Sequence, residues 1–244
     1  MNHKLFTAVT ASAFLGFAGL ANAGLKCDVA PSGQAQTPID FQVDDDYMTE
    51  VSSRTAPVIN WTSSASLKVK NTGSPDEYAS IKAEITGNAT TTFNGKTYTL
   101  AQFHFHTPSE HTLNGSNTEM EVHFVHVAAD GSLLVIGRFI DAGAANNELG
   151  KFFGKLPTDT SKYVSVSRFN LNNLLPNSRS RQTYRYAGSL TTPDFCEGVQ
   201  WLVLNEHMTM SRAQIDAFKA LFPHNNYRHT FPLNGRQITT DLDL

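Results

Sequence analysis

Short runs in which apolar and polar residues alternate, separated by turn signals, dominate the chain beyond its N-terminal part. Three such runs are Val58–Trp61, Ser66–Lys70 and Ile81–Ile85. Asn94-Gly95 and Asp130-Gly131 are typical of the tight turns that join antiparallel strands. Because successive side chains of a strand point to opposite faces, the alternation predicts half-buried strands. We therefore expect a mainly β protein with a few peripheral helices.

One helix is predicted with a clear beginning and end. The segment Ser211–Gln214 has the pattern of a capping box, with Ser211 as the N-cap. Apolar residues follow at helical spacing, and Pro223 ends the pattern. A shorter helix is predicted over Asn147–Phe153.

The N-terminal segment is typical of a secretory signal peptide. Lys4 precedes an apolar stretch over Leu5–Leu20, and Ala21-Asn22-Ala23 is a cleavage signal of the A-x-A kind. We expect residues 1–23 to be removed and residues 24–244 to form a single domain. A periplasmic or secreted location follows from this interpretation.

Composition excludes some classes of function. Lys and Arg number 19 against 22 Asp and Glu, a formal net charge of −3, which argues against nucleic acid as a partner. Beyond the N-terminus there is no apolar run long enough to predict a membrane span. The oligomeric state has no signal in the sequence.

Two cysteines, Cys27 and Cys196, remain after the predicted cleavage. In an oxidising compartment a single structural disulfide is the favoured interpretation. Two free thiols or a metal role are the alternatives, although neither cysteine has a second one at a metal-ligand spacing.

Histidines are concentrated in one part of the chain. In the segment 102–106, Gln102, His104 and His106 share one face of a predicted strand, while Phe103 and Phe105 share the other. Two phenylalanines on one face are ordinary core residues. Two histidines on the other face indicate a functional site.

A second strand carries a third histidine. Glu121, His123 and Val125 share a face, and Met120 and Phe124 lie on the opposite one. If the two segments pair as antiparallel neighbours, His123 meets His104 and His106. Three imidazoles without a fourth protein ligand describe a catalytic zinc site.

The neighbours of these histidines fit the same interpretation. Gln102 precedes His104 by two residues on its face, and Glu121 precedes His123 in the same way. A metal-bound imidazole normally donates its other N–H to such an oxygen. His111 and His126 are interpreted as structural. The sequence does not identify the metal, since imidazole ligands also suit cobalt or iron.

A competing metal motif uses Glu110. The spacing of His104, His106 and Glu110 also fits the cupins, small β-barrels in which Glu110 would be a ligand. That motif requires a second one downstream, of the form Pro-x-Gly-x-x-His, which the sequence lacks.

Taken together, the motifs resemble the α-class carbonic anhydrases, in particular the secreted bacterial ones. The matching stretches, in the order of the family, are Gln36–Asp40, Gln102–His106, Ser109–His111, Glu119–His126, Leu133–Phe139, Gly188–Pro193, Val199–Trp201 and Pro232–Arg236. The resemblance covers nearly all of residues 27–244. It implies a large, mostly antiparallel, twisted sheet with short helices outside.

The resemblance also implies an activity: zinc-dependent, reversible hydration of CO₂ to bicarbonate and a proton by zinc-hydroxide attack, the carbonate dehydratase reaction of a lyase. Sulfonamides or small anions are expected as inhibitors, and one Zn²⁺ as cofactor. His104, His106 and His123 match the zinc ligands, and Gln102 and Glu121 match their hydrogen-bonding partners.

Further roles are implied by the same match. Thr191 resembles the hydroxyl that orients zinc-bound hydroxide, and Glu110 resembles the carboxylate that accepts a hydrogen bond from this hydroxyl. Thr192 is the expected contact of bicarbonate or an inhibitor, and Cys27 and Cys196 match the disulfide of bacterial members. The apolar wall that receives CO₂ is matched by Val125, Leu133, Val135, Leu190, Val199 and Trp201.

Two departures from the family pattern stand out. The stretch rich in Trp, His and Tyr that usually precedes Gln36 is missing, which predicts a pocket more open on one side. Ser74 occupies the position of the family's proton-shuttling histidine, so we expect slow, buffer-assisted proton transfer. A smaller departure lies at Asn225–Phe231, where the family usually has Arg-Pro-x-Gln. Within it, His229 is interpreted as an ordinary surface histidine rather than a substitute shuttle.

These departures leave one alternative open. A carbonic-anhydrase-like binding protein with weak or no hydratase activity would tolerate both of them. The intact set of His104, His106, His123, Glu110 and Thr191 favours the enzyme.

Overall fold

The computed structural model describes residues 30–42, 47–73 and 78–242. The predicted signal peptide, Cys27 and Ser74 lie outside these ranges. Within them the strands are β1 (Asp40–Phe41), β2 (Met48–Glu50), β3 (Val58–Trp61), β4 (Ala65–Asn71), β5 (Ile81–Thr86), β6 (Ala89–Phe93), β7 (Lys96–His106), β8 (Thr112–Leu113), β9 (Met120–Ala128), β10 (Leu133–Ala142), β11 (Tyr163–Phe169), β12 (Thr183–Ser189), β13 (Glu197–Met210) and β14 (Ile238–Thr240).

Twelve of the described strands form one sheet. Its order is β11-β4-β5-β7-β9-β10-β13-β12-β14-β2, with β6 on β7 and β3 on β6. Most neighbours are antiparallel, as predicted, but β10 and β13 run parallel near the centre of the sheet, and β14 and β2 run parallel at one edge. The small pair β1–β8 is also parallel. The fold class predicted from the sequence is confirmed.

The predicted hairpins form where the turn signals lie. Phe93 pairs with Lys96 across Asn94-Gly95, and the Asp130-Gly131 turn joins β9 to β10. Asn94 and Gly95 have φ values of 49° and 76°, the left-handed conformation that such a turn requires.

The helices lie outside the sheet. Helix α2 (Arg212–Lys219) begins with the predicted capping box, in which Ser211 and Gln214 exchange hydrogen bonds. Helix α1 (Gly150–Phe153) is shorter than the prediction of 147–153. The Asn146 side chain accepts from the N–H groups of Glu148 and Leu149, as an N-cap does, so a turn begins at residue 147 as predicted. Residues 147–149 are not regular α-helix, because the N–H groups of Lys151 and Phe152 bond to backbone oxygens three residues earlier. No helix in the described part of the chain is both long and apolar enough to cross a membrane.

Two hydrophobic clusters lie on the two faces of the sheet. Phe103, Phe105 and Phe124 belong to the larger one, which also contains Phe153 of α1 and Phe218 of α2. Burying each phenylalanine contributes about 1.5–3 kcal/mol. The alternation on β7 and β9 therefore fixes these phenylalanines inside, and their histidine neighbours are left on the other face.

Candidate metal centre

Two neighbouring strands bring three histidines together. In the antiparallel pair of β7 and β9, His104 lies directly opposite His123, and His106 lies opposite Glu121. The ring centroids of His104, His106 and His123 are 4.6–5.4 Å apart. One nitrogen from each ring lies within 4.8 Å of the other two. The strand pairing expected from the sequence thus places the three imidazoles around one point.

Each of these imidazoles has one nitrogen engaged by an oxygen atom. His104 Nδ1 lies 2.9 Å from Gln102 Oε1, and His123 Nε2 lies 2.9 Å from Glu121 Oε1. His106 Nδ1 lies 2.7 Å from the backbone oxygen of Asn226. When each ring donates an N–H to its oxygen, its second nitrogen carries a lone pair.

The remaining nitrogen of His106 is a buried polar atom without a partner. His106 Nε2 has no hydrogen bond, although the residue is almost completely buried. Buried polar atoms are nearly always satisfied, so one left open points to a ligand. The donor set of three imidazole nitrogens, each oriented by a second hydrogen bond, fits a zinc ion.

Burial keeps these imidazoles neutral. It lowers the pKa of His106 to about 3 and holds the pKa of His104 well below its ordinary value, with a further contribution from the neighbouring imidazoles. Burial also lowers the pKa of His123. Neutral imidazole is the form that binds a metal, so the site is prepared for one at pH 7.

Glu121, the hydrogen-bond partner of His123, is itself held by several hydrogen bonds. Its carboxylate accepts hydrogen bonds from the backbone N–H groups of Glu110 and His111 and lies 2.7 Å from His111 Nδ1. Burial opposes ionisation of Glu121, but the nearby His111 and His123 outweigh it and hold its pKa well below the ordinary value. Glu121 is therefore a carboxylate that orients His123.

His111 continues this buried network away from the candidate site. Its Nε2 atom lies 2.6 Å from the Tyr186 hydroxyl, which donates to Thr37 Oγ1 at 3.1 Å. His111, Glu121 and His123 form a second group with metal-ligand spacing, but its members are hydrogen-bonded to one another. Sequence reasoning missed Tyr186, because a tyrosine on a β-strand is ordinary by itself.

Glu110 and Thr191 meet at the buried side of the histidine cluster. Glu110 Oε1 accepts from the Arg228 N–H at 2.9 Å, and Oε2 lies 3.7 Å from His123 Nδ1. Burial raises the pKa of Glu110 well above its ordinary value, while the Thr191 hydroxyl opposes this shift. Thr191 is also buried, and its hydroxyl lies near enough to Glu110 to affect that pKa.

The cupin alternative does not match this architecture. Glu110 lies next to the histidines, but the three nitrogens that share one point belong to the imidazoles. The chain forms a large open sheet rather than a small barrel.

The residues expected to form an apolar wall lie in one cluster. Val125, Leu133, Val135, Leu190, Val199 and Trp201 are all buried on the face of the sheet that carries His123. The Trp201 ring centroid is 4.8 Å from that of His123, and its Nε1 donates to the Ser189 backbone oxygen at 2.9 Å. Thr192, which follows the wall residue Leu190 by two positions, is partly exposed.

Asn226 and Arg228 were missed as site residues. Asn226 positions His106 through its backbone oxygen, and its side chain accepts from Thr107 N–H and donates to the backbone oxygen of Ala79. A backbone contact has no residue-type signature. The only signal was that residues 225–231 depart from the pattern of the family that the sequence resembles.

The remaining predicted residues lie apart from the histidine cluster or outside the described chain. His229 is exposed, with its ring centroid 5.1 Å from that of Tyr227. Both line a cavity of about 270 Å³ that Glu110 and Asp40 also border. Cys196 is buried, but Cys27 lies outside the described residues, so their pairing stays a prediction.

Comparisons with known proteins agree on one family. The model of the family described as eukaryotic-type carbonic anhydrase matches residues 25–242. Carbonic anhydrases of Neisseria gonorrhoeae and Pectobacterium carotovorum are each 40% identical, over 62% and 65% of this chain. The chain spans only 60% and 64% of the length of these two relatives.

Solved structures show the same likeness. The α-carbonic anhydrase of Thermovibrio ammonificans, in complex with the inhibitor sulfanilamide, superposes with a TM-score of 0.76 at 36% identity, covering 85% of this chain and 87% of that one. The Photobacterium profundum α-carbonic anhydrase gives 0.73 at 37% identity, covering 85% and 90%.

Proposed function

Because this chain belongs to the eukaryotic-type, or α-class, carbonic anhydrase family, we propose that it catalyses the zinc-dependent, reversible hydration of CO₂ to bicarbonate and a proton. One observation carries the proposal. His104, His106 and His123 converge with one lone-pair nitrogen each, and the second nitrogen of each ring is held by an oxygen.

A zinc ion held by three imidazoles supplies a nucleophile at neutral pH, because it lowers the pKa of the water it binds to about 7, a value established for carbonic anhydrases as a class rather than for this chain. His104 and His106 would bind it through Nε2 and His123 through Nδ1. These are the nitrogens left by the contacts with Gln102, Asn226 and Glu121.

Thr191 and Glu110 would orient the attacking oxygen. As a carboxylate, Glu110 would accept a hydrogen bond from the Thr191 hydroxyl, so the threonine oxygen is left to accept a hydrogen bond from the nucleophile. Burial raises the pKa of Glu110, whereas the backbone N–H of Arg228 and the positive charge of a bound zinc ion would favour the ionised form. CO₂ is apolar and fits the wall that contains Val125, Val135 and Trp201.

Proton release is the step for which this chain lacks the usual group. In the sequence, Ser74 takes the place of the histidine that shuttles protons in the family, and a serine hydroxyl does not titrate near neutral pH. The reaction would then depend on buffer to carry the proton away. Rising imidazole concentration should raise kcat at saturating CO₂ in both the wild type and a His229→Ala variant. A flat response would contradict this part of the proposal.

Stopped-flow CO₂ hydration tests the activity itself. We expect hydration by the full mature chain that is lost with a chelator, restored by Zn²⁺, and absent in a His123→Ala control. Sulfonamides and small anions should inhibit it. Zinc bound at one equivalent without hydration would contradict the proposal and favour a carbonic-anhydrase-like binding protein.

Export and the disulfide belong to the same proposal. Cleavage after Ala23 and a bond between Cys27 and Cys196 are expected for a periplasmic or secreted protein. Mass spectrometry of the exported chain, before and after reduction, measures both.

A further inference from the structure

Arg228 contacts two parts of the candidate site through different groups. Its backbone N–H donates to Glu110 Oε1 at 2.9 Å. Its guanidinium carbon lies 4.1 Å from the ring centroid of Phe195 and 4.1 Å from that of Phe231. The guanidinium group is thus held between two aromatic faces, the geometry in which a cation is attracted to both rings.

Phe195 belongs to the loop that carries Thr191 and Thr192. Its N–H donates to the Thr192 backbone oxygen at 2.8 Å, and the Leu190 N–H donates to the Cys196 oxygen at 2.9 Å. The position of the Phe195 ring is therefore tied to the conformation of the whole loop 190–196.

The backbone of Phe195 is strained. Its φ of 56° lies in the left-handed region, which costs free energy for any residue with a Cβ atom. Such a conformation persists only where its surroundings hold it. One contact that holds this side chain is the stack on Arg228.

Further contacts fix the stack in place. Arg228 Nη1 donates to Gln36 Oε1 and to the Thr37 backbone oxygen, each at 2.8 Å. The Phe195 ring also packs against Tyr78 in a T-shaped arrangement, with ring centroids 5.5 Å apart. The guanidinium group is planar and has several donors, so it stacks and hydrogen-bonds at the same time, which a lysine does not do.

We propose that Arg228 is a positioning residue, whose stacking between Phe195 and Phe231 holds the loop 190–196 so that Thr191 stays opposite Glu110. One residue then sets both halves of the pair, Glu110 through its backbone and Thr191 through the Phe195 ring. The effect on rate rests on the proposed function, whereas the effect on the loop does not.

Amide hydrogen exchange of the mature chain tests the effect on the loop. We compare the wild type with Phe195→Ala, Arg228→Lys and Phe231→Leu, and with Phe195→Tyr as the conservative variant. Tyr163→Ala is the matched control, because it removes an aromatic ring under a lysine, with Lys68 Nζ 5.3 Å from the ring centroid, at the far edge of the sheet.

The amides of Leu190 and Phe195 should exchange about tenfold faster in the first three variants, the change expected from losing a cation–π contact. They should keep wild-type protection in Phe195→Tyr and Tyr163→Ala. Unchanged protection in the Phe195→Ala and Arg228→Lys variants would overturn the proposal, and so would equal loss in the control. Phe231→Leu keeps the test open if Phe195→Ala does not fold.

Hydration kinetics then separate positioning from stability. Per bound zinc, kcat/KM should fall in Phe195→Ala and Arg228→Lys and recover in Phe195→Tyr, while zinc content stays at the wild-type value. Loop variants with unchanged kcat/KM would overturn the link to Thr191. A wild type without hydratase activity would contradict the proposed function. The hydrogen-exchange result would then decide alone whether Arg228 holds the loop 190–196.

Discussion

In each histidine of the candidate metal site, one ring nitrogen is hydrogen-bonded to an oxygen and the other is available to a metal. For two of them, the hydrogen-bond partner is the residue two positions earlier. On a strand, residues i and i+2 share a face, so Gln102 and Glu121 lie beside His104 and His123 and accept their N–H groups at 2.9 Å. His106 has no such neighbour and uses the Asn226 backbone oxygen. Two of the three orienting contacts were therefore predictable from spacing, whereas the third was not.

Thr191 offers the sharpest test at the level of a single residue. Replacing Thr191 with valine keeps its shape but removes the hydroxyl that acts on Glu110. We expect kcat/KM for CO₂ hydration to fall about 100-fold, the usual effect of removing one hydrogen-bonding group from a transition state. Stopped-flow kinetics with zinc content measured on the same sample give the result.

A buried threonine elsewhere provides the control for that substitution. Thr91 lies 3.0 Å from His126 Nε2 and accepts from Trp61 Nε1, on the other face of the sheet. Thr91→Val should lower thermal stability and leave kcat/KM per zinc unchanged. Equal kinetics in the two valine variants would contradict the role assigned to Thr191.

At the level of elements, periodicity predicts faces well and distant partners poorly. The alternation on β7 and β9 predicts which residues share a face, because a slip by one residue would move the histidines onto the face that carries the phenylalanines. The parallel pairing of β10 with β13 had no such signal, since the two strands are distant in the chain. Helix α1 is shorter than predicted because residues 147–149, although capped by Asn146, form a tight turn in which the N–H groups of Lys151 and Phe152 bond to oxygens three residues earlier.

The pairing of β9 with β10 predicts the effect of a substitution on a neighbouring strand. Gly137 lies opposite His123, and a Cβ atom there would lie 3.0 Å from Glu121 Oε1 and 3.2 Å from Val203 Cγ2. Gly137→Ala should displace the carboxylate that orients His123. We expect zinc affinity to fall roughly 10- to 100-fold, the usual effect of disturbing a residue that hydrogen-bonds to a metal ligand.

Competition with a chelator measures that affinity. Gly143→Ala is the matched control, because its Cβ would meet Thr209 Cγ2 at the same 3.0 Å but far from Glu121. The control should lose stability without losing zinc affinity. Equal zinc affinity in both variants would show that Glu121 tolerates the added methyl group.

On the scale of the whole molecule, the candidate site depends on segments that are far apart in the chain. The candidate ligands come from β7 and β9, Thr191 from the loop before β13, and the contacts to His106 and Glu110 from residues 226–228. The segment 32–37 also contacts the residues around the candidate site, since Gln36 and Thr37 accept hydrogen bonds from Arg228. Sequence patterns describe one segment at a time, so this assembly was reached through the family resemblance rather than through periodicity.

The carboxylate of Glu197 connects the segment 32–37 to β13. Glu197 accepts from Ser32 Oγ at 2.7 Å, Gly33 N at 3.0 Å, Ala35 N at 3.1 Å and Gln36 Nε2 at 2.7 Å. Burial raises the pKa of Glu197, but the hydrogen bonds from Ser32 and Gln36 outweigh it and lower the pKa to about 2. The folded protein therefore holds Glu197 ionised at a pH where the unfolded chain would protonate it.

The sign of the pH dependence follows from that shift. A carboxyl group whose pKa is depressed by folding contributes stability that is complete above its unfolded pKa and is lost as the pH falls through its folded pKa. The unfolding free energy of the wild type should exceed that of Glu197→Gln by a constant amount above about pH 4.5. The difference should shrink as the pH falls towards 2.

Urea denaturation at pH 7, 4 and 3 measures this difference in unfolding free energy. Ser32→Ala, which removes one donor to Glu197, should lower the unfolding free energy with the same pH dependence but by a smaller amount. A difference that stays constant or grows in acid would show that Glu197 is not held as a carboxylate by the N-terminal segment.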